Sequence, residues 1–164
     1  MKKCLLIHLM MVCMAVLLLV ACATPEERAA RAAEQKKMVA SALAQRHYKI
    51  GVNRMYPMKG PSKNVSYGYC VEVRNDSLIS YLPYFGGVYQ VPYGGGKGLN
   101  FEERIGNYSE TQIKDKRHIE IEVKNDEDTY LYTLEVFDNG SSSIDVLARH
   151  RDRISYTGDM EFGK

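Results

Sequence analysis

From Tyr48 onwards the chain alternates apolar and polar residues with a period of two, and this pattern limits its folds more than any other feature. Tyr48, Ile50 and Val52 alternate with Lys49, Gly51 and Asn53. Val65, Tyr67, Tyr69, Val71 and Val73 form a second run, Ile119, Ile121 and Val123 a third, and Tyr130, Tyr132, Leu134 and Val136 a fourth. A period of two places successive side chains on opposite faces of a strand, so each run carries one apolar face that must be buried. Turn-forming residues separate the runs: Arg74-Asn75-Asp76-Ser77, Lys114-Asp115-Lys116-Arg117, Asn125-Asp126-Glu127-Asp128 and Asp138-Asn139-Gly140. Asn139-Gly140 is the strongest hairpin signal, because both residue types tolerate positive φ. Short strands are also expected at 78–82, 88–91, 99–101, 108–113, 142–147 and 154–157. Evenly spaced short strands point to a sandwich or barrel, and consecutive hairpins favour an up-and-down meander. Closing such a meander hides its edge strands and leaves an interior. The expected fold is therefore all-β, an antiparallel up-and-down barrel or half-barrel of roughly eight to ten strands.

Composition changes sharply near residue 47. All thirteen glycines, twelve tyrosines and four phenylalanines lie beyond it. Before it, Thr24-Pro25-Glu26-Glu27 reads as a helix start, with Thr24 as N-cap, Pro25 in the first turn and Glu27 closing a capping box. Alanines continue the helix, and Met38, Val39, Ala42 and Leu43 supply its only substantial apolar stripe. The first turns are expected to be a solvated spacer and the last turns to dock on the β-domain.

Upstream, Lys2-Lys3 and the apolar run from Leu5 to Val20 have the layout of a secretory signal. The run falls short of the ~20 residues that span a bilayer. Leu19-Val20-Ala21-Cys22 resembles the lipobox of Gram-negative lipoproteins, which implies cleavage before Cys22 and acylation of its thiol and new amine. Several acyl chains on one residue make a stable membrane anchor. The expected organisation is a signal peptide at 1–21, a lipid-anchored helical spacer at 22–47 and a β-barrel domain at 48–164. Cys70 is then the one cysteine left without lipid, so the mature chain has no intrachain disulfide. Ala23 is not the aspartate that retains some lipoproteins at the inner membrane, and outer membrane is the expected location, with the periplasmic or surface face left open. Loss of Lys2 and Lys3 leaves twenty basic against twenty acidic side chains. That balance argues against nucleic acid as a partner, because phosphate backbones require a positive surplus.

Tyr93-Gly94-Gly95-Gly96-Lys97-Gly98 lacks the spacing, the hydroxyl residue and the following helix of a phosphate loop, and reads as a flexible connection. Asp126-Glu127-Asp128 lacks the alternation of a calcium loop, and the histidines have no metal-ligand spacing. No nucleophile elbow is present, and Cys70 reads as a small strand residue. The chain is expected to be no enzyme and to need no cofactor or metal. The aromatic segment stands out. Tyr81, Tyr84, Phe85, Tyr89 and Tyr93 crowd a stretch rich in proline and glycine, a composition suited to apolar or sugar-ring ligands, with Arg54 and Lys97 as charge contacts.

Several stretches taken together resemble a known family: Val52-Asn53-Arg54-Met55-Tyr56-Pro57-Met58, Ile79-Ser80-Tyr81-Leu82-Pro83-Tyr84-Phe85-Gly86, the run from Val91 to Phe101, Glu127-Asp128-Thr129-Tyr130 and Ile154-Ser155-Tyr156-Thr157-Gly158. They are similar to small lipoproteins of gut and oral Gram-negative anaerobes that carry domain of unknown function 4251. The resemblance implies a lipocalin-like antiparallel barrel or half-barrel behind a lipoprotein signal, and it supplies no site residues. The function expected is a non-enzymatic outer-membrane or surface lipoprotein that binds a small amphipathic, lipid or glycan ligand at the barrel mouth. The alternative is an interaction lipoprotein that docks on another envelope protein through an exposed aromatic loop. An accessible internal cavity favours the first, and a filled barrel with exposed aromatics favours the second.

Overall fold

A computed structural model describes residues 24–66, 68–89 and 98–162. The chain divides into two compact units, 1–34 and 35–164. Helix α1 (Pro25–Ala44) begins in the first and ends in the second. Its start is a reciprocal cap: the Glu27 amide donates to Thr24 Oγ1 and the Thr24 amide to Glu27 Oε2, both at 3.2 Å. Residues 24–34 are exposed throughout. No helix among the described residues is long and apolar enough to cross a membrane. The signal segment and Cys22 lie outside the described residues.

Nine strands follow among the described residues: β1 (His47–Pro57), β2 (Lys63–Asn64), β3 (Cys70–Arg74), β4 (Ser77–Leu82), β5 (Leu99–Ile113), β6 (Lys116–Lys124), β7 (Thr129–Phe137), β8 (Ser141–Ala148) and β9 (Ile154–Glu161). Each pairs antiparallel with the next from β3 to β9. β1 pairs with β3 on one side and with β9 on the other, so eight strands close into a barrel and β2 adds a short ninth beside β1. The antiparallel barrel expected from the alternation is therefore present, and it is closed rather than half-open.

Three strand readings change. The run expected from Val65 to Val73 is a strand only from Cys70 onwards, as β3, with the two-residue β2 before it. Segments 99–101 and 108–113 are parts of one strand, β5, whose register slips between Ile105 and Asn107. This bulge flips the inward phase from Phe101 and Ile105 to Tyr108, which is why the pattern read as two strands. Expected strand 88–91 reduces, among the described residues, to a single antiparallel bridge between Val88 and Arg151. Residues 90–97 lie outside the description.

Inward positions are filled. Ile50, Val71, Val73, Leu78, Leu82, Ile119, Ile121, Val123, Leu134, Val136 and Ile144 are fully buried, as are Tyr130, Tyr132 and Tyr156. Eight strands enclose a space just wide enough for side chains or for one small ligand. Here three tyrosines and a shell of branched aliphatics occupy it. Each tyrosine satisfies its hydroxyl inside. Tyr132 donates to Ser80 Oγ at 2.9 Å, Ser80 in turn donates to the Leu99 carbonyl at 2.7 Å, and Tyr156 donates to the Pro83 carbonyl at 2.7 Å. Tyr130 reaches the Gly98 carbonyl at 3.5 Å, with the Phe101 ring tilted against it at 4.9 Å. Desolvation pushes the pKa of Tyr132 and Tyr156 far above the usual phenol range, so both stay neutral donors.

The helix closes one end of this barrel. Val39 and Leu43 are buried in its core, while Met38, read as part of the same stripe, is 42% exposed. Gln35 Nε2 donates to the Asn139 carbonyl at 2.6 Å and Lys36 Nζ pairs with Asp138 at 2.8 Å, both on the β7–β8 turn. The Asn75 amide, on the β3–β4 turn, donates to the Arg46 carbonyl at 2.8 Å. The opposite end is built from the connections β1–β3, β4–β5, β6–β7 and β8–β9.

Candidate functional site

At the end away from the helix, segment 84–89 is fastened to the β8–β9 connection by one aspartate. Asp152 is 5% exposed. Its Oδ2 accepts the Gly87 amide at 2.9 Å, and its Oδ1 accepts the Tyr89 hydroxyl in a short hydrogen bond. Its backbone amide donates to the Gly87 carbonyl at 3.0 Å, and the Tyr89 amide donates to the His150 carbonyl at 2.8 Å. Tyr84 adds its hydroxyl to the carbonyls of Gly87 at 2.8 Å and Asp152 at 3.1 Å. The tight approach explains the glycine pair. A Cβ at Gly86 would strike the Tyr84 ring at 2.9 Å, and one at Gly87 would meet the Asp152 carboxylate at 3.0 Å.

These bonds set the ionisation of the cluster. The Tyr89 hydroxyl first, then the Gly87 amide, hold the Asp152 carboxyl below its ordinary value, with Lys59 contributing a smaller attraction. The same hydrogen bond raises the Tyr89 phenol, and burial raises that of Tyr84. A depressed folded-state value means that the fastening is complete above the ordinary carboxylate range near ~4 and is lost as pH falls through the folded value. In an NMR pH titration the Gly87 amide proton is expected to shift with a midpoint below that of an ordinary aspartate, and Asp152→Asn abolishes the step. A midpoint at or above the ordinary value contradicts the arrangement.

Beside this fastening lies a surface groove of about 450 Å³, lined by Pro57, Lys59, Gly60, Pro61, Lys63, Phe85, Gly86, Gly87 and Asp152. Phe85 stands 51% exposed, and the Lys63 ammonium lies 4.6 Å from its ring centroid. A second groove, of about 550 Å³, lies at the helix end between α1, β1, β3 and β9. Its charges are largely neutralised: Lys49 pairs with Glu161 at 2.7 Å and Glu72 with Arg74. The groove at the far end keeps its cations, and it is the better candidate.

The residues singled out from sequence separate into three places. Phe85 lines the groove, and Tyr84 and Tyr89 fasten its rim. Tyr81 stands on the outer wall, 51% exposed and stacked on Tyr69 at 5.2 Å, and Arg54 is exposed with its guanidinium 5.9 Å from the Tyr56 ring. Neither Tyr81 nor Arg54 lines the groove. Tyr93, Lys97 and the lipidation candidate Cys22 lie outside the described residues. Sequence reasoning missed Lys59, Lys63 and Asp152. The run Pro57-Met58-Lys59-Gly60-Pro61-Ser62-Lys63 carried a loop signal with two cations, whereas nothing local marked Asp152 within Arg149-His150-Arg151-Asp152-Arg153.

Other groups with catalytic potential are quiet. Burial raises the Cys70 thiol above its ordinary value, opposite to what a nucleophilic cysteine requires. Among the described residues no three His, Cys, Asp or Glu side chains gather as a metal site. Arg151 forms a buried ion pair with Glu127 at 2.7 Å beneath the Tyr84 ring, a structural contact.

The family model for a domain of unknown function, DUF4251, matches residues 30–160. The chain belongs to the DUF4251 family. The resemblance read from the segments around Tyr56, Tyr84 and Tyr156 is thus borne out. A crystal structure of a DUF4251 family protein from Bacteroides eggerthii DSM 20697 superposes with a TM-score of 0.59. It shares 10% sequence identity, with 77% of this chain and 86% of that chain covered. At that identity the likeness carries the DUF4251 fold alone. No curated protein matches in sequence.

Proposed function

We propose that this DUF4251 protein is a non-enzymatic lipoprotein of the outer membrane, anchored through Cys22, and a binding module for a small ligand held outside the barrel. The filled interior removes the internal ligand site and, by the criterion stated above, speaks for docking; what carries the small-ligand reading is the open groove outside the barrel. Tyr130, Tyr132 and Tyr156 occupy the space a lipocalin-type ligand would take. Phe85, Pro61, Lys59 and Lys63 are exposed in the groove and Pro57 is half-buried. The Cys70 thiol, pushed up by burial and so held protonated, and the engagement of His118 with Glu120 and Glu135 at 3.6 and 3.9 Å support a non-catalytic role.

A second reading has its own observation. Tyr81, Phe85 and Tyr89 are 51%, 51% and 67% exposed, and aromatic side chains of this kind anchor protein interfaces. Under that reading the aromatic segment docks on another envelope protein. Native mass spectrometry of the full chain extracted from its own envelope separates the two. A reproducible co-purified small molecule, released on denaturation, is expected. A stoichiometric protein partner with no small molecule favours docking instead.

A further inference from the structure

The polar groups of the groove are one-sided, and this narrows what it can hold. Lys59 and Lys63 are its two cations, and neither forms an ion pair among the described residues. Asp152 is its only carboxylate, and both of its oxygens are already engaged, one by Tyr89 and one by the Gly87 amide. A lysine ammonium only donates hydrogen bonds. Two ammonium groups, one of them attracted by Asp152, against a single lining carboxylate leave the groove with a surplus of positive charge among the described residues.

Two further features point the same way. The Phe85 ring lies against the Lys63 ammonium, a cation–π contact that holds the charge over the groove instead of in open solvent. Pro57, Pro61 and the edge of Phe85 give walls without polar side-chain atoms, suited to the flat face of a ring. The volume, about 450 Å³, falls within the range of small-molecule sites.

Resting on the binding-module reading, we infer that the groove takes a small organic anion, a carboxylate or sulfate carried on a ring, with Lys59 and Lys63 as its charge contacts. Phe85 supports Lys63, and Asp152 is a positioning residue that fixes Gly86 and Gly87 at the rim. Such an anion can be an acidic sugar or an aromatic acid ester, and the two share the chemistry the groove reads.

Calorimetric titration of the full chain in a non-ionic detergent tests this with four probes: glucuronic acid, phenyl sulfate, and their neutral counterparts glucose and phenyl glucoside. At least one anion is expected to bind measurably below about 10 mM, about tenfold or more tighter than its neutral counterpart. Binding by glucuronic acid alone assigns a sugar acid, and binding by phenyl sulfate alone assigns an aromatic ester. Lys59→Gln and Lys63→Gln each weaken the anion by about fivefold, Lys63→Arg retains it, and added salt weakens it further. Lys59 lies in an exposed loop and Lys63 on the exposed two-residue strand β2, so both substitutions are expected to leave the fold intact, which circular dichroism verifies. Equal affinity for neutral and anionic probes, or an unchanged affinity in the K59Q/K63Q double variant, overturns the inference. So does silence from both anions. If the native extract still yields a bound molecule, only the anion assignment falls and the binding module stands; if it yields none, both fall.

Discussion

Tyr132→Ala is expected to cost about 3–5 kcal/mol of unfolding free energy, the range for removing a large aromatic from a packed core. Tyr132 is fully buried, with the Phe101 ring edge-on at 6.3 Å and Ser80 accepting its hydroxyl. Tyr132→Phe, by contrast, removes one hydrogen bond and leaves Ser80 still donating to Leu99, so about 1 kcal/mol is expected. Denaturant unfolding of the two variants reads the difference directly as a shift in midpoint. The contrast matters because it distinguishes a solid barrel from a hollow one. In a hollow, solvated barrel the alanine would leave water where the ring had been, and its cost would approach that of the phenylalanine. A loss below about 1.5 kcal/mol for Tyr132→Ala would therefore contradict a filled interior.

The second large effect concerns closure. Gly158 faces inward on β9 opposite Val52, where β1 slips by one residue between Val52 and Arg54. A Cβ at Gly158 would stand 2.9 Å from the Gly51 carbonyl carbon and 3.0 Å from the Val52 Cα, with the Gly51 carbonyl oxygen closer still. These atoms are backbone and have no rotamer to yield. Gly158→Val is therefore expected to lose about 3 kcal/mol or more, because β1 and β9 must separate where the barrel closes. Thr157→Ala, one residue earlier and facing outward, is expected to stay within about 1 kcal/mol of the parent. Hydrogen exchange locates the damage. Amides of 49–57 and 154–161 lose protection in the valine variant while the β6–β7 pair keeps it. A valine variant as stable as the parent would mean that the β1–β9 seam is not formed as described.

Much of the architecture was legible because each strand buries one face. Tyr130, Tyr132, Leu134 and Val136 alternate inward in β7 as the period of two requires, and the turns at Asn75, Lys114 and Gly140 adopt the positive φ their positions call for. The capping box at Thr24 and Glu27 was equally plain, since both partners lie within one turn. Closure was not legible. It depends on a bulge in β1 and on the absence of a side chain at Gly158, more than a hundred residues later. The continuity of β5 was hidden for a related reason, since a one-residue slip reverses the phase of the alternation.

The candidate site was only half visible. Aromatic crowding marked the segment that carries Tyr84, Phe85 and Tyr89, because composition is local. Which rings point outward could not be read from it. Tyr84 turns its hydroxyl to Gly87 and Asp152, Tyr81 stacks on the outer wall, and Phe85 alone of the described candidates lines the groove. The partners that organise the groove come from elsewhere. Asp152 meets Gly87 across 65 positions of sequence, and Lys63 meets Phe85 only after β1 and its connection have folded back.

The most direct test of a recognition site outside a filled barrel is NMR shift mapping of the isotopically labelled full chain against the small-molecule extract of its native envelope. The account predicts saturable shifts at the amides of Gly60, Lys63, Phe85, Gly86 and Gly87, with Tyr130, Tyr132 and Ile144 unmoved. Shifts centred on those interior residues, or on the helix end around Met38 and Tyr48, would place the ligand elsewhere and contradict it.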